Sequence, residues 1–228
     1  MTIGQAEVEA QKKAAADRAL ELVRPGTVVG LGSGSTARYF IAGLADRVRA
    51  GLKVRAVATS AESRRLAEEG RIAITERIDG HLDLAIDGAD EIDPAVNCLK
   101  GRGGALLREK IVAHASRRFV LIADETKLVG RLGRGPVPIE VLPFLWEATS
   151  RAIESLGGRP QLRMANGRPF RTDNDNLILD TSFGAVDAPL GVAINAIPGV
   201  LEHGLFFGMA RAAFVGSATG VRVLGELA

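Results

Sequence analysis

Apolar positions recur first at helical spacing. Ala16, Ala19, Leu20 and Val23 lie three and four apart, and Arg24-Pro25-Gly26 ends that helix. A short apolar strand over residues 27–31 runs straight into Gly32-Ser33-Gly34-Ser35-Thr36. A second helix follows, with Ala37, Phe40, Ile41, Leu44, Ala45 and Val48 on one face and Gly51 just past its end. The pattern then repeats: a strand over 53–58, a helix over 61–69 closed by Gly70, strands over 71–75 and 82–86, and a helix over 103–116. Residues 119–123 are apolar at every position, as in strands buried on both faces. Strands alternating with helices predict a parallel sheet in an α/β fold.

From Gly133 the grammar changes. A strand over 137–142, a helix over 144–156, strands over 159–164 and 177–181, a helix over 186–196 and a strand over 200–205 follow one another. The order β-α-β-β-α-β predicts a ferredoxin-like α+β unit. Two short apolar segments, 212–215 and 221–224, are read as strands that rejoin the first sheet. The small domain is then an insertion: residues 1–132 and 206–228 make the parallel-sheet domain, and residues 133–205 the smaller one.

Composition narrows the class of protein. Of 228 residues, 46% are hydrophobic and 25% charged, the mix of a globular chain long enough to bury a real core. The formal charge of +2 gives no nucleic-acid-binding surface. One cysteine, Cys98, leaves no intramolecular disulfide, and Glu7 and Glu9 in an N-terminus without an apolar stretch argue against a signal peptide. No run approaches the roughly 18 apolar residues of a membrane span. The expectation is a cytoplasmic protein.

Three glycine- or acid-rich turns carry the candidate chemistry. The loop Gly30-Leu31-Gly32-Ser33-Gly34-Ser35-Thr36-Ala37 joins a strand to a helix, where free N–H groups and the helix dipole favour an anion such as phosphate. Ser33, Ser35 and Thr36 add hydroxyl donors. No Gly-Lys-Ser/Thr follows and the glycine spacing misses the dinucleotide fingerprint; the same residues also fit a tight turn with a Ser N-cap. Next, Asp87-Gly88-Ala89-Asp90-Glu91 places three acids at the carboxyl end of a strand, where open α/β sheets bind ligands. An acidic turn with Glu91 as a helix N-cap is the plainer account. A metal site is disfavoured, since His81, His114 and His203 are not spaced with these acids as a ligand set.

The third turn is Lys100-Gly101-Arg102-Gly103-Gly104-Ala105-Leu106-Leu107-Arg108-Glu109-Lys110. On a helix Glu109 falls between Ala105 and Ala113, with Leu106 and Val112 just outside. A carboxylate on that side is partly desolvated, and its raised pKa suits a general base. An ordinary solvated Arg-Glu-Lys run fits the spacing equally well. Lys127, after the buried strand, and Lys12 or Lys13, on the first helix, are further candidates for a phosphate.

Together with Asn195-Ala196-Ile197-Pro198-Gly199-Val200, these motifs occur in an order that closely resembles ribose-5-phosphate isomerase of type A, from about Lys12 to the C-terminus. The resemblance implies a Rossmann-like domain with an inserted ferredoxin-like domain, a homodimer or homotetramer, and no metal or cofactor. It implies interconversion of D-ribose 5-phosphate and D-ribulose 5-phosphate in the non-oxidative pentose phosphate pathway. The catalytic base falls on Glu109. Substrate loops fall on Ser33, Gly34, Ser35 and Thr36, on Asp87, Gly88, Ala89 and Asp90, and on Lys100, Gly101, Arg102 and Gly103, with Lys127 and Lys12 toward the phosphate. In the mechanism expected from this, Glu109 moves the carbon-bound proton, Asp87 exchanges the O1 and O2 protons and Lys100 stabilises the enediolate. Asp90 holds sugar hydroxyls and orients Lys100.

Two positions depart from the family pattern. Arg102 stands where many members have glycine, and must point away from the sugar or add a contact. Asp175 occupies a turn position that often carries glycine, which Asp tolerates better than most residues. Among other classes, a sugar-phosphate-sensing module of a transcription regulator lacks room for a helix-turn-helix before residue 27. An acyl-CoA transferase would need a glutamate open to a thioester.

Overall fold

The structure, a computed structural model, describes residues 4–227; the outermost residues of the expected larger domain, 1–3 and 228, lie outside them. In chain order the elements begin with α1 (Gln5–Leu20), β1 (Val28–Leu31), α2 (Ser35–Arg49), β2 (Arg55–Ala58), α3 (Ala61–Glu69) and β3 (Ala73–Ile74). They continue with β4 (Leu84–Asp87), β5 (Glu91–Ile92), β6 (Cys98–Leu99), α4 (Leu106–His114) and β7 (Phe119–Asp124), which a 3-10 turn at Glu125–Lys127 follows. Next come β8 (Val137–Val141), α5 (Trp146–Ser155), β9 (Arg159–Leu162), β10 (Met164–Ala165), β11 (Arg168–Pro169) and β12 (Leu177–Ser182). The chain finishes with α6 (Ala188–Asn195), β13 (Val200–His203), β14 (Leu205–Phe206), β15 (Ala212–Ser217) and β16 (Gly220–Gly225).

Seven strands form the main sheet in the order β16-β15-β7-β4-β1-β2-β3, parallel except for β16. The expected α/β sheet is present, and the two C-terminal strands do return to it beside β7. Every residue of β1, β4 and β7 is buried, because helices cover both faces. Ala15, Ala19, Phe40, Ile41 and Leu44 pack with Leu31, Ile86 and Phe214 on one face. Val112, Phe119, Leu121 and Phe206 pack on the other. Among the described residues, no helix is long and apolar enough to cross a membrane.

The second sheet is antiparallel, in the order β13-β8-β12-β9, with α5 and α6 covering it through Ile153 and Ile194. That order matches the predicted ferredoxin-like unit. We propose that the two sheets mark two domains, divided at 132/133 and 205/206, although β14 straddles the second cut.

Several expected elements are shorter, for physical reasons. The strand expected over 200–205 stops at His203, and Leu205–Phe206 turns away to pair with Cys98–Leu99 in a three-stranded patch with Glu91–Ile92. The strand expected over 159–164 stops at Leu162, and Met164 and Ala165 form a small hairpin with Arg168 and Pro169. The helix expected from Gly103 starts only at Leu106, because Gly101 and Gly104 take φ of 105° and 80°, outside the helical region. Asp175 takes φ of 60°, as its turn position requires.

Candidate active site

The three motifs converge at the carboxyl end of the main sheet. A cavity of about 100 Å³ is lined by the Ser33–Thr36 loop, Gly88 to Asp90, Lys100, Gly101, Gly103, Glu109 and Lys127. β1 delivers the first loop, β4 the second, α4 carries Glu109, and the turn after β7 carries Lys127. Of the residues expected at the site, Asp87, Arg102 and Lys12 are the ones outside this lining.

Lys100 is the hub, with 3% of its surface exposed. Its Nζ donates to Gly88 O at 2.6 Å, pairs with Asp87 Oδ2 at 3.0 Å, and lies 3.3 Å from Glu109 Oε2. Burial disfavours the ammonium, but Asp87 and Glu109 outweigh it and hold the lysine above its ordinary range. Burial raises the Asp87 carboxyl too, opposed by Lys100 and by N–H donors from Ser33 and Gly88. Asp87 thus lies behind Lys100 and holds it. The packing is close: a Cβ on Gly32 would sit 2.1 Å from Asp87 Oδ1, so only glycine fits there.

Glu109 is 6% exposed. The helix-face prediction of a desolvated carboxylate holds, and the solvated Arg-Glu-Lys alternative does not. Arg108 is tied to Asn174 Oδ1 at 2.8 Å, and Lys110 donates to Glu202 at 2.8 Å and to His203 O at 2.7 Å. Burial first, then the neighbouring charge of Asp87, push Glu109 up to about 8 against the pull of Lys100. The approach of Lys100 to Oε2 lacks hydrogen-bond direction, so this oxygen is buried without a hydrogen-bond partner. It is a carboxylate oxygen held ready for a proton.

Opposite, α2 begins at Ser35 with Gly34 as N-cap and no side-chain cap, which corrects the alternative of a Ser N-cap. Without a side-chain cap or an acid in the first turn, its N-terminal N–H groups are left with the polarity that favours an anion. Ser33 is less free than its sequence position suggests. Its N–H donates to Asp87 at 3.0 Å; because Thr59 Oγ1 donates to Leu31 O at 2.9 Å, the Ser33 hydroxyl donates to Thr59 at 2.8 Å. Thr59 was not visible as a site residue, since its contribution is made across strands.

Other expectations are corrected. Asp90 does not orient Lys100: its Oδ2 accepts from the Arg102 N–H at 3.0 Å. Arg102 points away from the cavity, with its side chain 55% exposed. Glu91 caps no helix. It lies in β5, and its carboxylate accepts from the N–H groups of Gly133, Arg134 and Gly135, pinning the loop into the second sheet. Lys12 is buried on α1 but pairs with Glu9 at 2.8 Å. Among the described residues no cluster of three or more His, Cys, Asp and Glu is arranged to hold a metal.

A buried carboxylate of raised pKa beside a fixed ammonium, facing an anion seat at the strand ends of a Rossmann-like sheet, defines an acid–base enzyme for a small anionic substrate. Residues 55–220 match the family described as Ribose 5-phosphate isomerase A (phosphoriboisomerase A). The chain is 50% identical over 223 residues to the ribose-5-phosphate isomerase A of Gloeobacter violaceus, covering 96% of this chain and 97% of that one. It is 51% identical over 228 residues to the Bradyrhizobium diazoefficiens protein of the same name, covering 93% and 94%. The solved ribose 5-phosphate isomerase A of Methanocaldococcus jannaschii superposes with a TM-score of 0.92 at 38% identity, over 96% of this chain and 99% of that one. A D-ribose-5-phosphate isomerase in complex with phospho-erythronic acid gives 0.92 at 40% identity, with the same coverage. The chain belongs to the ribose 5-phosphate isomerase A family.

Proposed function

We propose that Glu109 is the base with which this chain, an aldose–ketose isomerase, interconverts D-ribose 5-phosphate and D-ribulose 5-phosphate. The observation that carries the assignment is the buried, unpartnered Glu109 Oε2 beside Lys100. Glu109 takes the proton from C2 and returns it to C1. Lys100 stabilises the enediolate oxygen that forms between these transfers, as a preorganised cation in a water-poor site. Asp87 exchanges the O1 and O2 protons and opens the sugar ring, working through the Lys100 ammonium that it holds. The α2 N-terminus with Ser35 and Thr36, and Lys127 from the far wall, hold the phosphate, and that remote binding positions the carbons. Gly88, Ala89, Asp90, Gly101 and Gly103 bound the sugar.

The test is ribulose 5-phosphate formation by the purified chain in deuterated water. Label at the transferred position supports the scheme. Turnover close to wild type in a folded Glu109→Gln protein would sink the base assignment. We also propose that the chain works as a homodimer or homotetramer; exposed Phe144 and Leu145 before α5 and Val192 on α6 offer apolar surface for it. Sedimentation of the purified chain at monomer mass would end that proposal.

A further inference from the structure

Resting on that reading of Glu109 and Lys100, we propose that Arg163 of the small domain is a positioning residue. It fixes the conformation of the Lys100–Gly103 loop, and with it the placement of the ammonium against the base. Arg163 lies just beyond β9, with its side chain 13% exposed. Two of its nitrogens are committed to Asp180 on β12: Nε donates to Oδ2 at 2.8 Å and Nη2 to Oδ1 at 2.5 Å. The Phe170 ring covers the guanidinium, its centroid 5.7 Å from Cζ. A fork held in this way is rigid before anything else touches it.

The remaining nitrogen reaches the other domain. Nη1 donates to Gly101 O at 2.9 Å and to Arg102 O at 3.1 Å. Two consecutive carbonyls turned toward one guanidinium nitrogen fix the orientation of the peptide between them. Phe170 presses the same loop, since a Cβ on Gly104 would meet its ring at 2.5 Å. From the other side the Lys100 N–H donates to Gly204 O at 2.8 Å, and Asp90 accepts from the Arg102 N–H. The loop is clamped at both edges, and Arg163 is the clamp on Gly101 and Arg102. It does not line the cavity, so its effect on the reaction passes through the loop.

Arg163→Lys separates the clamp from the ion pair. A lysine can still pair with Asp180 but cannot at the same time present a second fixed donor to both carbonyls. Loss of the hold lowers kcat/KM by about tenfold to a hundredfold, the scale of a misplacement of about 1 Å at a reacting pair. The groups facing Glu109 are Lys100, Asp87 and Asp90. Loosening Lys100 therefore moves the acid limb of the kcat/KM profile to higher pH. Asp180→Asn leaves the fork one acceptor short and shifts both readouts in the same direction, by about threefold to tenfold in rate.

A lowered melting temperature with unchanged turnover per folded molecule and an unmoved acid limb would make Arg163 a structural tie only and overturn the inference. If Arg163→Lys does not fold, Asp180→Asn decides by the same two readouts. Glu109→Gln run alongside keeps the levels apart. An inactive Glu109→Gln with a normal Arg163→Lys sinks only the clamp, whereas an active Glu109→Gln sinks the reading beneath it.

Discussion

Glu109, on helix α4, and Glu140, in strand β8, are both buried glutamates, and each has an Oε2 that no hydrogen bond reaches. Around Glu140 the partners are neutral. Its Oε1 accepts from Thr172 Oγ1 at 2.9 Å, Asn174 Nδ2 at 3.1 Å and Asn176 Nδ2 at 2.8 Å, all from one turn. Around Glu109 the neighbours are charged: Lys100 beside it, with Asp87 beyond the same ammonium. Three fixed dipoles make a carboxylate a peg on which a turn is hung. A competing carboxylate and a shared ammonium make its proton easy to gain and to lose. Burial alone does not distinguish a base; the kind of partner does.

The largest test of this contrast is loss of function without loss of fold. Glu109→Gln should lower kcat by about a thousandfold, within the usual range for a general base, while the protein stays folded. Glu140→Ala should do the reverse, removing about 3 kcal/mol of stability by stranding two buried donors and a half-buried one while kcat stays within about threefold. Denaturant melts and turnover on the same samples read both. A Glu140→Ala enzyme that keeps its stability but loses turnover would erase the distinction.

Next in size is pH. As the proposed base Glu109 acts in its ionised form, so kcat/KM should rise with pH until about 8, where its carboxyl titrates. Because its folded pKa lies above the ordinary 4.5, the native state holds this proton more tightly than the unfolded chain. The stability linked to it is fully present below pH 4.5 and is lost as pH rises through about 8. Glu109→Gln, a fixed stand-in for the protonated form, should therefore melt higher than wild type at pH 9 and nearly with it at pH 4.5. At about 1.4 kcal/mol per pH unit and about 2–4 °C per kcal/mol, the difference at pH 9 is about 10 °C or more.

The smallest effect extends the same logic to hydroxyls. The Ser33 proton is committed to Thr59, whereas the first turn of α2 has no side-chain cap. Thr36→Val should raise KM for ribose 5-phosphate about fivefold, the worth of about one hydrogen bond, and Ser33→Ala less than about twofold. Equal effects would mean that Ser33 releases its partner when substrate arrives.

What the sequence disclosed follows the range of each cause. The βα repeats, the inserted unit and the apolar side of α4 all rest on local periodicity, which puts Glu109 between Ala105 and Ala113 but leaves a solvated Arg-Glu-Lys run equally open. The patch of β5, β6 and β14 escaped because two-residue strands have no period, and β14 joins β6 from about a hundred positions away. Glu140 lies in the apolar run Val137–Val141, and nothing nearby marks it as the anchor of a turn beyond residue 171. Asp90 was assigned to the wrong neighbour, since spacing puts an acid in a loop but does not aim its carboxylate. Arg163 and Asp180 carry no local signal at all.

The return of β15 to β7 sets the order in which the molecule can be made. On a ribosome the strands β1 to β7 emerge first, but the free edge of β7 gains its neighbour only when residues 212–216 appear. The whole small domain is synthesised in between, and its own antiparallel strands can pair as they leave the tunnel. During that interval an apolar strand edge stands open to other chains. The delay falls on the parallel sheet, which makes truncation after residue 205 a far greater aggregation hazard than its short length suggests.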